Sequence, residues 1–91
     1  MEDNLMSEAL SQGEIVVYAT RWCFDCKRSE KFLRKNRIDF RKVDIDKDQE
    51  GREFVMKVNN GSRSVPTIVF PDGSILVEPS NDELAEKLGI E

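Results

Sequence analysis

The stretch Ile15-Val16-Val17-Tyr18-Ala19 is apolar at every position, so a strand formed there must be covered on both faces. In a chain of 91 residues that requirement leaves few architectures. A domain this short buries only about 60 to 65% of the surface its extended chain exposes, so every apolar cluster must join one shared core. The run therefore reads as the central strand of a sheet with helices on both sides.

The flanking segments supply the remaining elements. A helix is expected from about Cys26 to Asn36, with Cys26, Ser29, Phe32, Leu33 and Asn36 as a thin inward stripe. Ile38 to Val43 reads as the next strand, although the alternation of Ile38 and Phe40 shifts to Val43 and Ile45, suggesting a strand end or an irregularity. Asp46 (with Gln49 three residues on) or Asp48 offers an N-cap to a second helix, with Phe54, Val55 and Val58 as its apolar face and Asn59-Asn60-Gly61 as its stop. Val65 to Phe70 and Ser74 to Val77 flank Pro71-Asp72-Gly73, a hairpin signal. The last helix has the clearest limits: Ser80 as N-cap, Glu83 as its N3 partner, Leu84, Ala85 and Leu88 inward and Gly89 as terminator. Pro79 against Leu84 is a candidate staple.

The predicted order is βαβαββα. A right-handed crossover makes the first two strands parallel, and the hairpin completes a four-stranded mixed sheet flanked by helices, an α/β domain over residues 14–91. Residues 1–13, polar apart from Leu5, Met6, Ala9 and Leu10, read as an extension that is either flexible or a short helix.

Composition excludes several functions. The sequence has no run of about 18 apolar residues, so no membrane span is expected, and the acidic start Met1-Glu2-Asp3 is unlike a secretory signal. Zero histidines remove the commonest base and metal ligand, and two cysteines cannot close a four-thiolate zinc site. No metal is expected, and the chemistry should involve sulfur. Residues 21–42 hold nine Lys/Arg against three Asp/Glu, within a formal charge of -4. A nucleic-acid surface is one reading of that cluster; a solvated helix face and the outer side of a strand is the simpler one, and no nucleic-acid partner is expected.

Cys23-Phe24-Asp25-Cys26 lies between the apolar strand and a helix, the context in which a CxxC reads as a redox motif rather than a structural disulfide or two inert core thiols. Two intervening residues let the sulfurs meet across a first helical turn, where unpaired backbone N–H groups stabilise a thiolate on Cys23. Cys26 is then the resolving thiol. A cysteine of pKa 8.5 is about 3% thiolate at neutral pH, whereas one near 6 is about 90%, a difference of about 3.4 kcal/mol. Arg21 and Lys27 are the nearest cations in sequence. Asp25 opposes a second negative charge, unless it points to solvent or caps the helix. Trp22 is either a core aromatic or an exposed wall beside the thiolate, and Pro66, structurally ordinary at the first position of a strand, follows an X-Pro bond of the kind that is usually trans.

Trp22-Cys23-Phe24-Asp25-Cys26, Val43-Asp44-Ile45 and Ser64-Val65-Pro66, in this order and spacing, resemble a glutaredoxin over about residues 15 to 90. Val58-Asn59-Asn60-Gly61-Ser62-Arg63 before the Val-Pro pair and Asp72-Gly73-Ser74 after it are most similar to the short mycoredoxin type. The resemblance implies a thioredoxin-like fold and a thiol-disulfide oxidoreductase reducing mixed disulfides between proteins and a low-molecular-weight thiol. It implies that Cys23 is the nucleophile, that Cys26 resolves the mixed disulfide, that Pro66 is cis, and that Val65 offers its backbone to an extended substrate. Arg21, Trp22, Phe24, Arg63, Val65, Asn81 and Asp82 are the candidate contacts to the small thiol.

The sequence departs from glutathione-using relatives at Thr20, where they often carry Lys or Arg, and at Val77-Glu78 and Asn81, in place of a Gly-Gly pair and an acidic cap. Glu78 would repel glutathione carboxylates, which favours a mycothiol-like partner. The expected partners are thiolated or disulfide-containing proteins, the small thiol and a flavin-dependent disulfide reductase, for a cytoplasmic monomer. The alternatives are an iron-sulfur cluster held between two subunits by Cys23 and small-thiol ligands, a redoxin recycled by thioredoxin reductase, and a non-enzymatic module.

Overall fold

A computed structural model describes residues 13–90, and the expected N-terminal extension lies outside them except for Gly13. The elements are β1 (Ile15–Ala19), α1 (Phe24–Lys35), β2 (Phe40–Asp44), α2 (Gln49–Val58), β3 (Thr67–Val69), β4 (Ile75–Val77) and α3 (Asn81–Leu88). The sheet order is β2-β1-β3-β4, with β1 parallel to β2 and antiparallel to β3, and β3 antiparallel to β4. This is the α/β thioredoxin-like fold.

All five residues of β1 are buried. Ile15, Val17 and Ala19 pack with Cys26 and Leu33 of α1 and Leu84 of α3, while Val16 and Tyr18 pack on the opposite face with Val55 of α2. The two-sided apolar run thus serves two half-cores. Fully burying a Val or Ile side chain contributes roughly 1.5–3 kcal/mol, so β1 is a major source of stability.

Three local readings need correction. The first helix begins at Phe24 rather than Cys26, and Asn36 is its exposed C-cap rather than part of the inward stripe. The helix stops because Arg37 turns left-handed (φ 60°), letting Arg37 N–H donate to Arg34 and Ile38 N–H to Leu33. Nothing in an arginine signals that turn. The second strand starts at Phe40, and its shifted alternation is no irregularity: Phe40 joins the α1 side of the core, Val43 and Ile45 the α2 side. Lys42, opposite Val17, falls on the α1 side and meets buried Glu30 at 3.4 Å. Glu30 is therefore the inward residue that the helical stripe left out.

The other stops and caps lie at residues of the expected type. Asp48, not Asp46, caps α2 by accepting from Gly51 N–H at 2.9 Å. Ser80 and Glu83 form the reciprocal box on α3, and Gly89 ends it in the left-handed region. In the β3–β4 turn, Lys87 lies 2.7 Å from Asp72, whose carboxylate also accepts from the Ser74 hydroxyl and N–H. Lys87 first, then Ser74, holds the Asp72 carboxyl well below the usual carboxylate range. A depressed folded-state pKa gives stability present above the unfolded value of about 3.9 and lost as pH falls through the folded one.

Gly51 marks the closest approach of α2 to the sheet: a Cβ there would stand 2.7 Å from Val43 Cγ1 and 3.5 Å from Tyr18 Cδ2. Alanine normally gains about 1 kcal/mol over glycine in a helix, but overpacking of this kind costs about 1–3 kcal/mol. Gly51→Ala should therefore lower stability by about 1 kcal/mol in urea unfolding; a gain would contradict the packing described.

Candidate active site

Chain leaving β1 turns through Thr20, Arg21 and Trp22 and delivers Cys23 to the start of α1. Cys23 is the N-cap: its backbone is extended (φ −108°, ψ 107°), and its Sγ accepts from Cys26 N–H at 3.0 Å. A sulfur thus occupies the place where Ser or Asp oxygen usually satisfies a helix start. The two cysteines are joined as a disulfide with Cα atoms 5.2 Å apart. Cys23 is half-buried, whereas Cys26 is fully buried among Ala19, Leu33 and Leu84. The asymmetry separates an approachable sulfur from a sheltered one.

Across from Cys23 stands the loop before β3. Cys23 Sγ lies 3.8 Å from the Val65 carbonyl oxygen, and the Val65–Pro66 peptide is cis. The loop is pinned from beneath. Buried Thr67 donates its hydroxyl to Ser64 O at 2.8 Å and accepts from Asn59 Nδ2 at 3.2 Å, while Asn59 also donates to Val55 O. The C-cap of α2 thus helps position the Val65 carbonyl. Pro66 O accepts from Glu78 N–H at 2.8 Å, tying the segment after β4 to the same loop.

Charge arrives from α1. Arg28 Nη1 donates to Asp25 Oδ1 at 3.0 Å and Nη2 to Pro79 O at 3.2 Å, so the CxxC helix grips the segment that leads into α3. Asp25 is neither a free charge nor the cap.

The structure brings Cys23, Cys26, Val65 and Pro66 together. Trp22 and Phe24 flank Cys23 with 82% and 86% of their surfaces exposed, so Trp22 is no core aromatic. The Arg21 guanidinium carbon lies 5.3 Å from the Trp22 ring centroid. Arg63 is exposed two residues before Val65, and Asn81 and Asp82 are exposed in the first turn of α3. Arg28 and Thr67 carry no motif, and Asn59 was legible only as a helix stop and as part of the stretch before the Val-Pro pair; their roles here come from contacts made 8 to 51 residues away.

Comparison with known proteins decides the family. The family profile described as Glutaredoxin matches residues 15–75, from β1 to the start of β4. The chain belongs to the glutaredoxin family. A Mycobacterium tuberculosis protein named as a glutaredoxin is 46% identical over 74 residues, covering 81% of this chain and 88% of the relative. Mycoredoxin 1 of Corynebacterium glutamicum is 36% identical over 76 residues, covering 84% and 94%. The crystal structure of an Archaeoglobus fulgidus glutaredoxin superposes with a TM-score of 0.70 at 30% identity, covering 96% of each chain.

This glutaredoxin is a thiol-disulfide oxidoreductase that acts through its cysteine pair, exchanging with protein thiols or disulfides and a low-molecular-weight thiol. Among the described residues no helix is long and apolar enough to cross a membrane, and no group of three or more His, Cys, Asp or Glu side chains is placed to hold a metal ion.

Thr67→Val keeps the side-chain shape but leaves the Ser64 carbonyl and one Asn59 donor without their partner. It should cost about 1–2 kcal/mol in urea unfolding and slow exchange at Cys23, because the Val65 carbonyl loses its anchor. Unchanged stability and rate would contradict the pinning.

Proposed function

We propose that this glutaredoxin reduces mixed disulfides between proteins and a low-molecular-weight thiol, with Cys23 as nucleophile and Cys26 as resolving thiol. The observation that carries this reading is the half-buried Cys23 Sγ at the start of α1, 3.0 Å from Cys26 N–H, with Cys26 buried behind it. A backbone N–H aimed at sulfur favours the thiolate, and the helix dipole acts in the same direction.

In the proposed cycle the Cys23 thiolate attacks the small-thiol sulfur of a mixed disulfide. The protein thiolate leaves and takes up a proton, and Cys23 now carries the small thiol. A second small-thiol anion attacks that sulfur, releasing a small-molecule disulfide and the Cys23 thiolate. Alternatively Cys26, as thiolate, attacks Cys23 and expels the small thiol, leaving the Cys23–Cys26 disulfide. Two electrons from a flavin-dependent disulfide reductase, or from two small thiols, restore the dithiol. Val65 presents backbone groups beside Cys23, which would hold an extended substrate without demanding a particular side chain. A monomer in a reducing cytoplasm suits this use of free thiols.

A mycothiol-like partner is favoured over glutathione by Glu78. Its backbone is left-handed (φ 51°), a conformation costly for a residue other than Gly or Asn, and its N–H is bonded to Pro66 O. Glu78 is thus exposed on a segment tied to the Val65–Pro66 loop, and a carboxylate there would repel a thiol bearing carboxylates and tolerate a polar sugar body. Likeness to Mycoredoxin 1 supports the same choice.

Mass spectrometry of Cys26→Ala and Cys23→Ala proteins exposed to the disulfides of glutathione, mycothiol and bacillithiol tests the reading. Cys26→Ala should capture the small thiol rapidly, with mycothiol preferred, and Cys23→Ala should not. Glu78→Gln should improve use of glutathione relative to mycothiol about twofold to fivefold, as expected for unit charges roughly 8 Å apart in a water-rich setting. Rapid capture by Cys23→Ala would overturn the roles, and an unchanged ratio in Glu78→Gln would overturn the basis of the preference.

A further inference from the structure

Asp25 lies in the first turn of α1, two residues from Cys23 and directly before Cys26. Its charge favours the helix start but opposes a thiolate on the same turn. Left alone, it would work against the sulfur chemistry. Arg28, one turn later, places Nη1 3.0 Å from Asp25 Oδ1 and Nη2 3.2 Å from the Pro79 carbonyl oxygen. Pro79 is buried, and the residue after it is Ser80, the N-cap of α3, so the second contact is to a fixed point rather than to a mobile side chain.

We propose that Arg28 is a positioning residue for Cys23: gripped by the Pro79 carbonyl, its guanidinium cancels the Asp25 carboxylate and keeps the Cys23 thiolate accessible. The arrangement differs from an ordinary surface pair, which loses much of its strength to the disorder of two long side chains. Here the fork uses both arms, one on the charge and one on a backbone acceptor from another element. Other charged groups on the elements around Cys23 are Lys27 on α1, Arg21 on the turn before it, Arg63 on the loop before Val65 and Glu78 after β4, all exposed. Arg21 lies over Trp22, which leaves Arg28 as the cation bonded to Asp25.

The inference rests on Cys23 as nucleophile. Its readout is ionisation rather than turnover, so the two fail separately. In a Cys26→Ser background, where one thiol titrates, the Cys23 pKa is followed by thiolate ultraviolet absorbance and by the pH dependence of alkylation. Both partners are about half-exposed, at 46% and 50%, so solvent limits the effect to about half a pH unit.

Arg28→Ala should raise the Cys23 pKa by about that amount and Asp25→Asn should lower it similarly. The double variant should return to within about 0.2 units of the parent. Arg28→Lys, a cation without a fork, should fall between parent and Arg28→Ala. If Arg28→Ala folds poorly, Arg28→Gln carries the same expectation. An unchanged pKa on removing the guanidinium, or a double variant that keeps the full Arg28→Ala shift, would overturn the proposal.

Discussion

The hydrogen bond from Cys26 N–H to Cys23 Sγ is the contact on which the site depends. Every helix start carries backbone donors with no intrahelical partner, and most proteins satisfy one with an oxygen. Here a sulfur takes that place, and sulfur is a poor acceptor as a thiol but a good one as an anion. The helix's need for an acceptor and the reaction's need for a thiolate thus favour the same ionisation state. Burial of Cys26 in the first turn, three residues on, gives the pair its asymmetry.

The sheet makes that helix start useful. With β3 placed directly beside β1, the loop before β3 arrives opposite the loop after β1, so Val65 meets Cys23 across 42 residues of sequence. Asn59 and Thr67 fix that loop from within, Glu78 N–H ties the segment after β4 to Pro66, and Arg28 ties α1 to Pro79. The loop before β3 meets the sulfur, and the segment after β4 is tied both to that loop and to α1.

The legible parts of the chain were those in which one residue type has one physical use. An all-apolar run demanded a two-faced strand, Ser80 with Glu83 demanded a helix start, and Gly89 and Asn60 offered left-handed stops. CxxC after a strand placed the cysteine pair at the start of the first helix. What stayed hidden depended on partners far along the chain. Arg37 adopts a left-handed turn because Ile38 packs against the core, and Glu30 is buried because Lys42 reaches it from β2. Arg28 looked like one basic residue among many until the fold placed Pro79 beside it. Local spacing could not choose between core and surface for Trp22, since the turn that exposes it is set by where α1 begins.

The central claim is that the start of α1 makes one sulfur acidic and leaves the other sheltered. It is tested most directly by peptide-resolved alkylation of the fully reduced protein across a pH range, reading Cys23 and Cys26 separately in the same sample. The account predicts that Cys23 ionises well below the ordinary thiol value of about 8.5 and reacts first at every pH. A Cys23 that titrates like a free thiol, or a Cys26 that reacts faster, would contradict it.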